Sequence, residues 1–212
     1  MLPCSGNLPK LKSHFKADLS KEKQLIPLLD HYYKTCLKHS SFERITDLKL
    51  QKAGVDLILT DHRNNKEYYV DEKAQLDYVN ESLPTFAFEL FYRKNRKIRE
   101  GWFLDATKKT HFYALVTSIF SDEKDTFTSC NITFVNREKL MVHLSQRGLT
   151  QKFLREISMV HKNLHGKMEL KEIHPKKEGY LFFSTQNKAE KPINLILKLD
   201  FLERIGVAKR LV

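Results

Sequence analysis

The stretch Gly54-Val55-Asp56-Leu57-Ile58-Leu59-Thr60, followed after a polar turn by Tyr68-Tyr69-Val70-Asp71-Glu72-Lys73-Ala74, decides the fold. Both runs are rich in β-branched and aromatic residues. Asp61-His62-Arg63-Asn64-Asn65-Lys66 between them is turn-forming, so the pair predicts a β-hairpin with a longer loop. In the first run Val55, Leu57 and Leu59 alternate with Asp56, Ile58 and Thr60. Both faces are largely apolar and Asp56 is the exception, which is the pattern of a central, buried strand. In the second run alternation puts Asp71 and Lys73 on one face and Glu72 on the other. The hairpin can therefore gather two carboxylates and one ammonium.

Two carboxylates a few ångströms apart in a partly buried site repel each other, and a hard divalent cation relieves that repulsion by taking oxygen ligands from both. A lysine on the same face can orient a water or offset charge developing on a phosphate. Together these groups suit metal-assisted phosphodiester hydrolysis. The ordinary alternative for Asp71 and Lys73 is the solvated face of an edge strand.

Asp56, then a hairpin, then Asp71-Glu72-Lys73 resembles the PD-(D/E)XK signature of restriction-endonuclease-like nucleases, over roughly residues 40 to 120. Val55 stands where the signature has proline, and Glu72 where the family usually has an apolar residue. A shifted register with Glu72 as the ligand would leave it no lysine two residues on. The resemblance implies an α/β or α+β fold, a restriction-endonuclease-like core with a central mixed β-sheet flanked by helices, one before it and two after. It implies a magnesium-dependent endonuclease acting on DNA, with manganese as a substitute metal, in a restriction, phage-linked, repair or recombination setting. Asp56 and Asp71 would ligate the metal, and Lys73 would act on the attacking water or the phosphate. Many such enzymes dimerise, which makes a homodimer an expectation. Family members often carry a glutamate on the first helix, which makes Glu43 and Asp47 candidates, with a solvated helix face as the alternative. A nucleic-acid-binding protein with a degenerate site is the competing function.

Other polar residues extend the candidate site. Gln75 shares parity with Asp71 and Lys73, where it either positions a water or phosphate or serves as a strand-end amide. After Pro84, residues 85–92 predict a third strand in which Glu89 is an acid in an aromatic segment, so it needs a metal or an ion-pair partner. Arg93-Lys94-Asn95-Arg96-Lys97-Ile98-Arg99 has five cations in seven residues and predicts an exposed loop or hairpin tip. There Arg93, Lys94, Arg96, Lys97 and Arg99 would contact phosphates, unless the run is simply a solvated turn.

Composition limits the alternatives. The 212 residues suffice for one large domain, and 41% hydrophobic content with only 7 Gly and 6 Pro argues for an ordered globule. Lys plus Arg number 37 against 26 acids, a net charge of +11 that favours a polyanionic partner, nucleic acid before membrane. Cys4, Cys36 and Cys130 are odd in number and lack CxxC spacing, which argues against a disulfide framework and for a reducing compartment. With neither a signal peptide nor a membrane-length apolar run legible, the expected location is the cytoplasm.

Along the rest of the chain the reading is a loose arm over 1–20, a nuclease-like core over 21–165 and a β-rich extension over 166–212 packed on the same domain. Leu25, Leu28, Leu29, Tyr32, Tyr33, Cys36 and Leu37 recur at helical spacing, with Pro27 expected near the helix start. Gly101-Trp102-Phe103-Leu104 and His111–Phe120 predict strands, with Lys108, Lys109 and His111 on a loop that could face DNA. Cys130–Val135 predicts another strand. Helices follow over 137–146 and after Thr150, the latter burying Phe153, Leu154, Ile157, Met159 and Val160. Residues 168–173, 179–184 and 193–199 predict short strands. The gaps among His161, His165 and His174, with no acid at a ligand position, do not make a zinc site.

Overall fold

The computed structural model describes residues 15–94, 97–123, 126–186 and 190–212. The protein is α+β, with a six-stranded mixed sheet, a five-stranded antiparallel sheet and five α-helices among the described residues. No helix among the described residues is long and apolar enough to cross a membrane.

Helix α1 spans Phe15–Cys36 and buries Leu25, Leu29 and Tyr33. That four-residue repeat is one helical stripe, and burying each such side chain is worth about 2 kcal/mol. The expected arm over 1–20 is thus helical from Phe15, and residues 1–14 lie outside the described set. Pro27 falls inside the helix rather than near its start. The apolar stripe carries the helix past a residue that cannot donate its own ladder bond.

Strand β1 (Ser40–Arg44) and helix α2 (Leu48–Lys52) lead into Gly54. Strands β2 (Leu57–Asp61) and β3 (Lys66–Ala74) form the expected hairpin, with Leu57 opposite Val70. A 3₁₀ turn over Leu76–Tyr78 follows. Strands β4 (Thr85–Lys94) and β5 (Lys97–Glu100) make the basic hairpin, whose Asn95 and Arg96 lie outside the described residues, as does the Lys94 side chain. Then come β6 (Phe112–Glu123), β7 (Thr126–Asn136), α3 (Arg137–Gln146) and α4 (Gln151–Val160). Asn136 and Thr150 cap these two helices through their side-chain oxygens. The chain closes with β8 (Gly166–Met168), β9 (Gly179–Phe183), β10 (Ile193–Lys198), α5 (Leu199–Arg204) and β11 (Ala208–Arg210).

The first sheet has the order β1-β2-β3-β6-β7-β11, with β3 and β6 parallel and the other pairs antiparallel. The second has the order β5-β4-β10-β9-β8. One central sheet was the expectation, and the third predicted strand instead leaves it to pair with β10. The boundary at 165 does not coincide with a sheet boundary, because β8–β10 complete the sheet begun by β4 and β5 while β11 joins the other. Helix α1 covers one face of the first sheet, over Leu57, Val70, Ala114, Val116 and Ile132. The opposite face packs Tyr113, Leu115 and Val135 against Phe88, Leu195, Leu140 and Phe201 of the second sheet, α3 and α5.

Three further expectations are corrected. Gly101–Leu104 is a turn, because the Gly101 and Phe103 N–H groups donate back to Leu90 and Glu89 and Asp105 N–H bonds to the Gly101 carbonyl. Residues 169–173 are irregular, with a turn at 171–172, rather than continuing β8. Met159 and Val160 are exposed, since the last turn of α4 runs beyond the core that Leu154 reaches.

Candidate functional site

Asp56 directly precedes β2. Its N–H donates to Val70 O and its carbonyl accepts from Ile45 N, both at 2.8 Å, which holds it in the sheet between the end of β1 and β3. Its Oδ2 then accepts the Glu72 N–H at 2.8 Å, so a side-chain oxygen stands in for a ladder carbonyl and turns the carboxyl toward β3. Asp71 on β3 lies close enough that its charge acts on the Asp56 carboxyl. Asp71 is buried, with its side chain 4% exposed, and its Oδ1 accepts from the Lys73 ammonium, whose side chain is 26% exposed.

The electrostatics follow from burial and proximity. Burial first, and the Asp71 carboxylate second, push the Asp56 carboxyl up to about 7, against the pull of Lys73 and the Glu72 N–H. For Lys73, burial opposes the charged form, yet Asp71, Asp56 and Glu22 together hold the ammonium above its ordinary value. Lys73 is therefore a persistent cation at neutral pH. Its Nζ also lies 5.4 Å from the centre of the Trp102 ring, within cation–π range.

A loop from the second sheet closes the site. Lys108 Nζ donates to Lys52 O at 2.7 Å, Lys109 N to Ala53 O at 2.8 Å and Thr110 Oγ1 to Gly54 O at 2.8 Å. Gly54 has φ +76°, and a Cβ there would lie 2.4 Å from Thr110 Oγ1 and 3.2 Å from Asp71 Oδ2, so both backbone conformation and space require glycine. Arg137 fixes the loop from below, donating through Nη2 to Asp105 O at 2.9 Å. Tyr113 pairs with Asp71 across the parallel ladder, and its buried hydroxyl has no hydrogen-bond partner among the described residues. Burial pushes that phenol above its ordinary value, and Asp71 adds to the shift while Arg137 opposes it.

Of the residues anticipated from sequence, Asp56, Asp71 and Lys73 come together. Glu72 points to the opposite face, where it accepts from Tyr33 Oη at 2.8 Å and Arg44 Nη1 at 2.7 Å. Gln75 donates its amide to Thr85 O at 2.9 Å and straps the end of β3 to the start of β4. Glu89 belongs to the second sheet, on the strand parity opposite Phe88, whose ring packs on Trp102, and its Cγ lies against Gly101. Asp47 caps α2, accepting from Lys49 N and Leu50 N, and Glu43 is exposed. Arg93, Lys97 and Arg99 lie on the β4–β5 hairpin with Lys97 and Arg99 exposed, and Arg96 is outside the described residues. Sequence reading missed Glu22 on α1, whose charge reaches Lys73, and the Trp102 ring above that ammonium.

Two hard carboxylates with several open positions suit magnesium, which binds through one or two acids and keeps the rest of its shell for water and phosphate. Among the described residues no group of three or more His, Cys, Asp or Glu is arranged to hold a metal ion. No protein-family model matches the chain, and no curated protein and no solved structure matches it significantly.

Proposed function

We propose that the protein is a magnesium-dependent nuclease hydrolysing phosphodiester bonds in DNA, built on a restriction-endonuclease-like core. The observation that carries this reading is the meeting of Asp56 and Asp71 with the Lys73 ammonium bound to the second of them. The order of the first sheet, an antiparallel run β1-β2-β3 followed by parallel β6, supports it by putting the acid-x-lysine strand at the centre.

The chain's own groups divide the work. Asp56 and Asp71 supply the negative charge that attracts a hard cation and orient its ligands. A magnesium ion held there would supply Lewis acidity toward a phosphoryl oxygen and lower the pKa of a bound water. Lys73, kept protonated by its acidic neighbours, is suited to neutralise charge growing on the phosphate and unsuited to accept a proton. The loop carrying Trp102, Lys108 and Thr110 keeps Asp71 from bulk water, which strengthens each of these interactions. Lys97, Arg99 and Arg93 on the β4–β5 hairpin add a sequence-independent attraction for the DNA backbone.

The absence of a third acidic ligand among the described residues favours a second reading, a DNA-binding protein that does not cut. Incubating the protein with supercoiled plasmid in magnesium, in EDTA, and as Asp71→Asn and Lys73→Met separates the two. The nuclease reading expects nicking in magnesium by the wild type alone. Nicking that survives both substitutions contradicts the site, and no nicking by any form supports the binder.

A further inference from the structure

A second feature lies at the end of β3 away from its lysine. The ladder between β3 and β6 begins only at Val70 and Phe112, so residues 66–69 run past the start of β6 and leave a notch in the sheet. The notch is held open by a side-chain substitute for the missing strand. His111 N donates to Tyr69 O at 2.9 Å, and Tyr69 N donates to His111 Nδ1 at 3.0 Å while the two rings stack at 5.0 Å.

The result is a groove of about 660 Å³ whose walls combine cations with aromatic rings. Lys66, Lys108, Lys109 and Arg137 bring positive charge from three separate segments of the chain, and Tyr68 and Phe112 bring ring faces and edges. Lys66 and Lys109 are exposed, and Lys66 Nζ stands 5.3 Å from the centre of the Tyr68 ring. Tyr68 and Phe112 meet edge to face at 5.4 Å. The acid among its lining residues is the exposed Glu138, so the balance remains positive.

The groove adjoins the acidic pair. Lys108 and Thr110 line it, and both also converge with Asp71 Oδ2 around Gly54, where a Cβ would touch all three. Lys108 and Thr110 are thus common to the groove and to the surroundings of Asp71.

We propose that this groove binds single-stranded DNA and leads it to the Asp56–Asp71 pair. Phosphates would run along Lys109 and Lys66 and a base would rest on Tyr68. Cations that follow a backbone, with aromatic rings to receive bases, are what an unpaired strand recognises, since a duplex hides its base faces. The groove's volume is that of an ordinary small-molecule site, suited to a nucleotide or two. The β4–β5 hairpin, by contrast, offers cations on an exposed ribbon. The assignment deepens the nuclease reading by naming the strand form its substrate presents.

The test measures binding in EDTA, so that no cleavage is required, by fluorescence anisotropy of a labelled oligo(dT) and of a blunt duplex of equal length. Wild type should bind the single strand more tightly than the duplex. Lys66→Glu with Lys109→Glu, both exposed positions, should weaken single-strand binding about tenfold or more and lower its log–log salt slope by about 1.4, two phosphates' worth. Tyr68→Leu, which keeps apolar packing against Phe112, should weaken it by about 1 kcal/mol, or fivefold. Lys97→Glu with Arg99→Glu on the hairpin should weaken single strand and duplex to the same extent, and each by less than the groove pair does. Groove variants that bind as wild type, a loss confined to the hairpin variant, or a duplex bound as tightly as the single strand would each overturn the proposal. Groove binding without nicking in magnesium would sink only the nuclease reading, and nicking without groove binding only the groove.

Discussion

Strand β3 carries three consecutive ionisable residues, and its two faces treat charge in opposite ways. On the α1 face Glu72 is met by Arg44 through Nη1 and Nη2 and by the Tyr33 hydroxyl, while Arg44 Nε bonds Asp30 at 2.6 Å. Glu72, Arg44 and Asp30 there each have a geometrically matched partner, and burial is compensated by hydrogen bonds. On the other face two carboxylates share one ammonium, and one of them is driven up to about 7. A matched set holds a helix to a sheet, whereas the unmatched one is where the proposed cation would sit.

The sharpest way to separate the faces is to remove charge from each. Asp71→Asn should lower plasmid nicking by about 10³-fold with little change in the urea midpoint, because Asp56 is left to pair with Lys73. Lys73→Met should lower nicking as far and also destabilise the fold by stranding the buried Asp71 carboxylate. Glu72→Ala should do the reverse of Asp71→Asn. It should lose about 3 kcal/mol of stability by stranding Arg44 between α1 and β1, as measured by urea titration, with nicking per folded molecule retained.

Proton linkage gives the next largest effect. The folded-state Asp56 carboxyl, at about 7, lies above its ordinary 3.8, so between those values the folded protein binds more protons than the unfolded chain. Stability in EDTA should therefore fall as pH rises through that window, by on the order of 2–4 kcal/mol. Asp56→Asn should flatten the fall, and magnesium should restore stability at the alkaline end. A urea-melt series from pH 4 to 8 checks both, and a wild-type curve that rises across the window contradicts the assignment. The smallest effect belongs to Trp102→Leu, which removes the ring beside the Lys73 ammonium and should cost roughly 1 kcal/mol of stability and a few-fold in nicking rate.

How far these features were legible in the sequence depends on the range of the contacts that make them. Asp56, Asp71 and Lys73 lie on one hairpin, so strand parity alone puts the last two together and apolar surroundings mark the first. The split between Asp71 and Glu72 follows from the same period. The second sheet was illegible because β4 pairs with β10 about a hundred residues later, a partner no local pattern names. Trp102 read as a strand residue because its neighbours are apolar, while carbonyls of β4 bend that segment into a turn. Pro27 was expected near a helix start because propensity disfavours it elsewhere, yet Leu25, Leu29 and Tyr33 bury enough to carry α1 through it. Glu22 was missed because its relation to Lys73 depends on how α1 lies on the sheet.

The measurement that tests the unmatched face most directly is manganese binding, followed by loss of the free-ion electron paramagnetic resonance signal as protein is added at pH 7.5. Wild type should take up manganese saturably with magnesium competing, and both Asp56→Asn and Asp71→Asn should abolish the uptake while Glu72→Gln keeps it. Saturable binding that persists in both aspartate variants, or no binding by the wild type, would contradict the account.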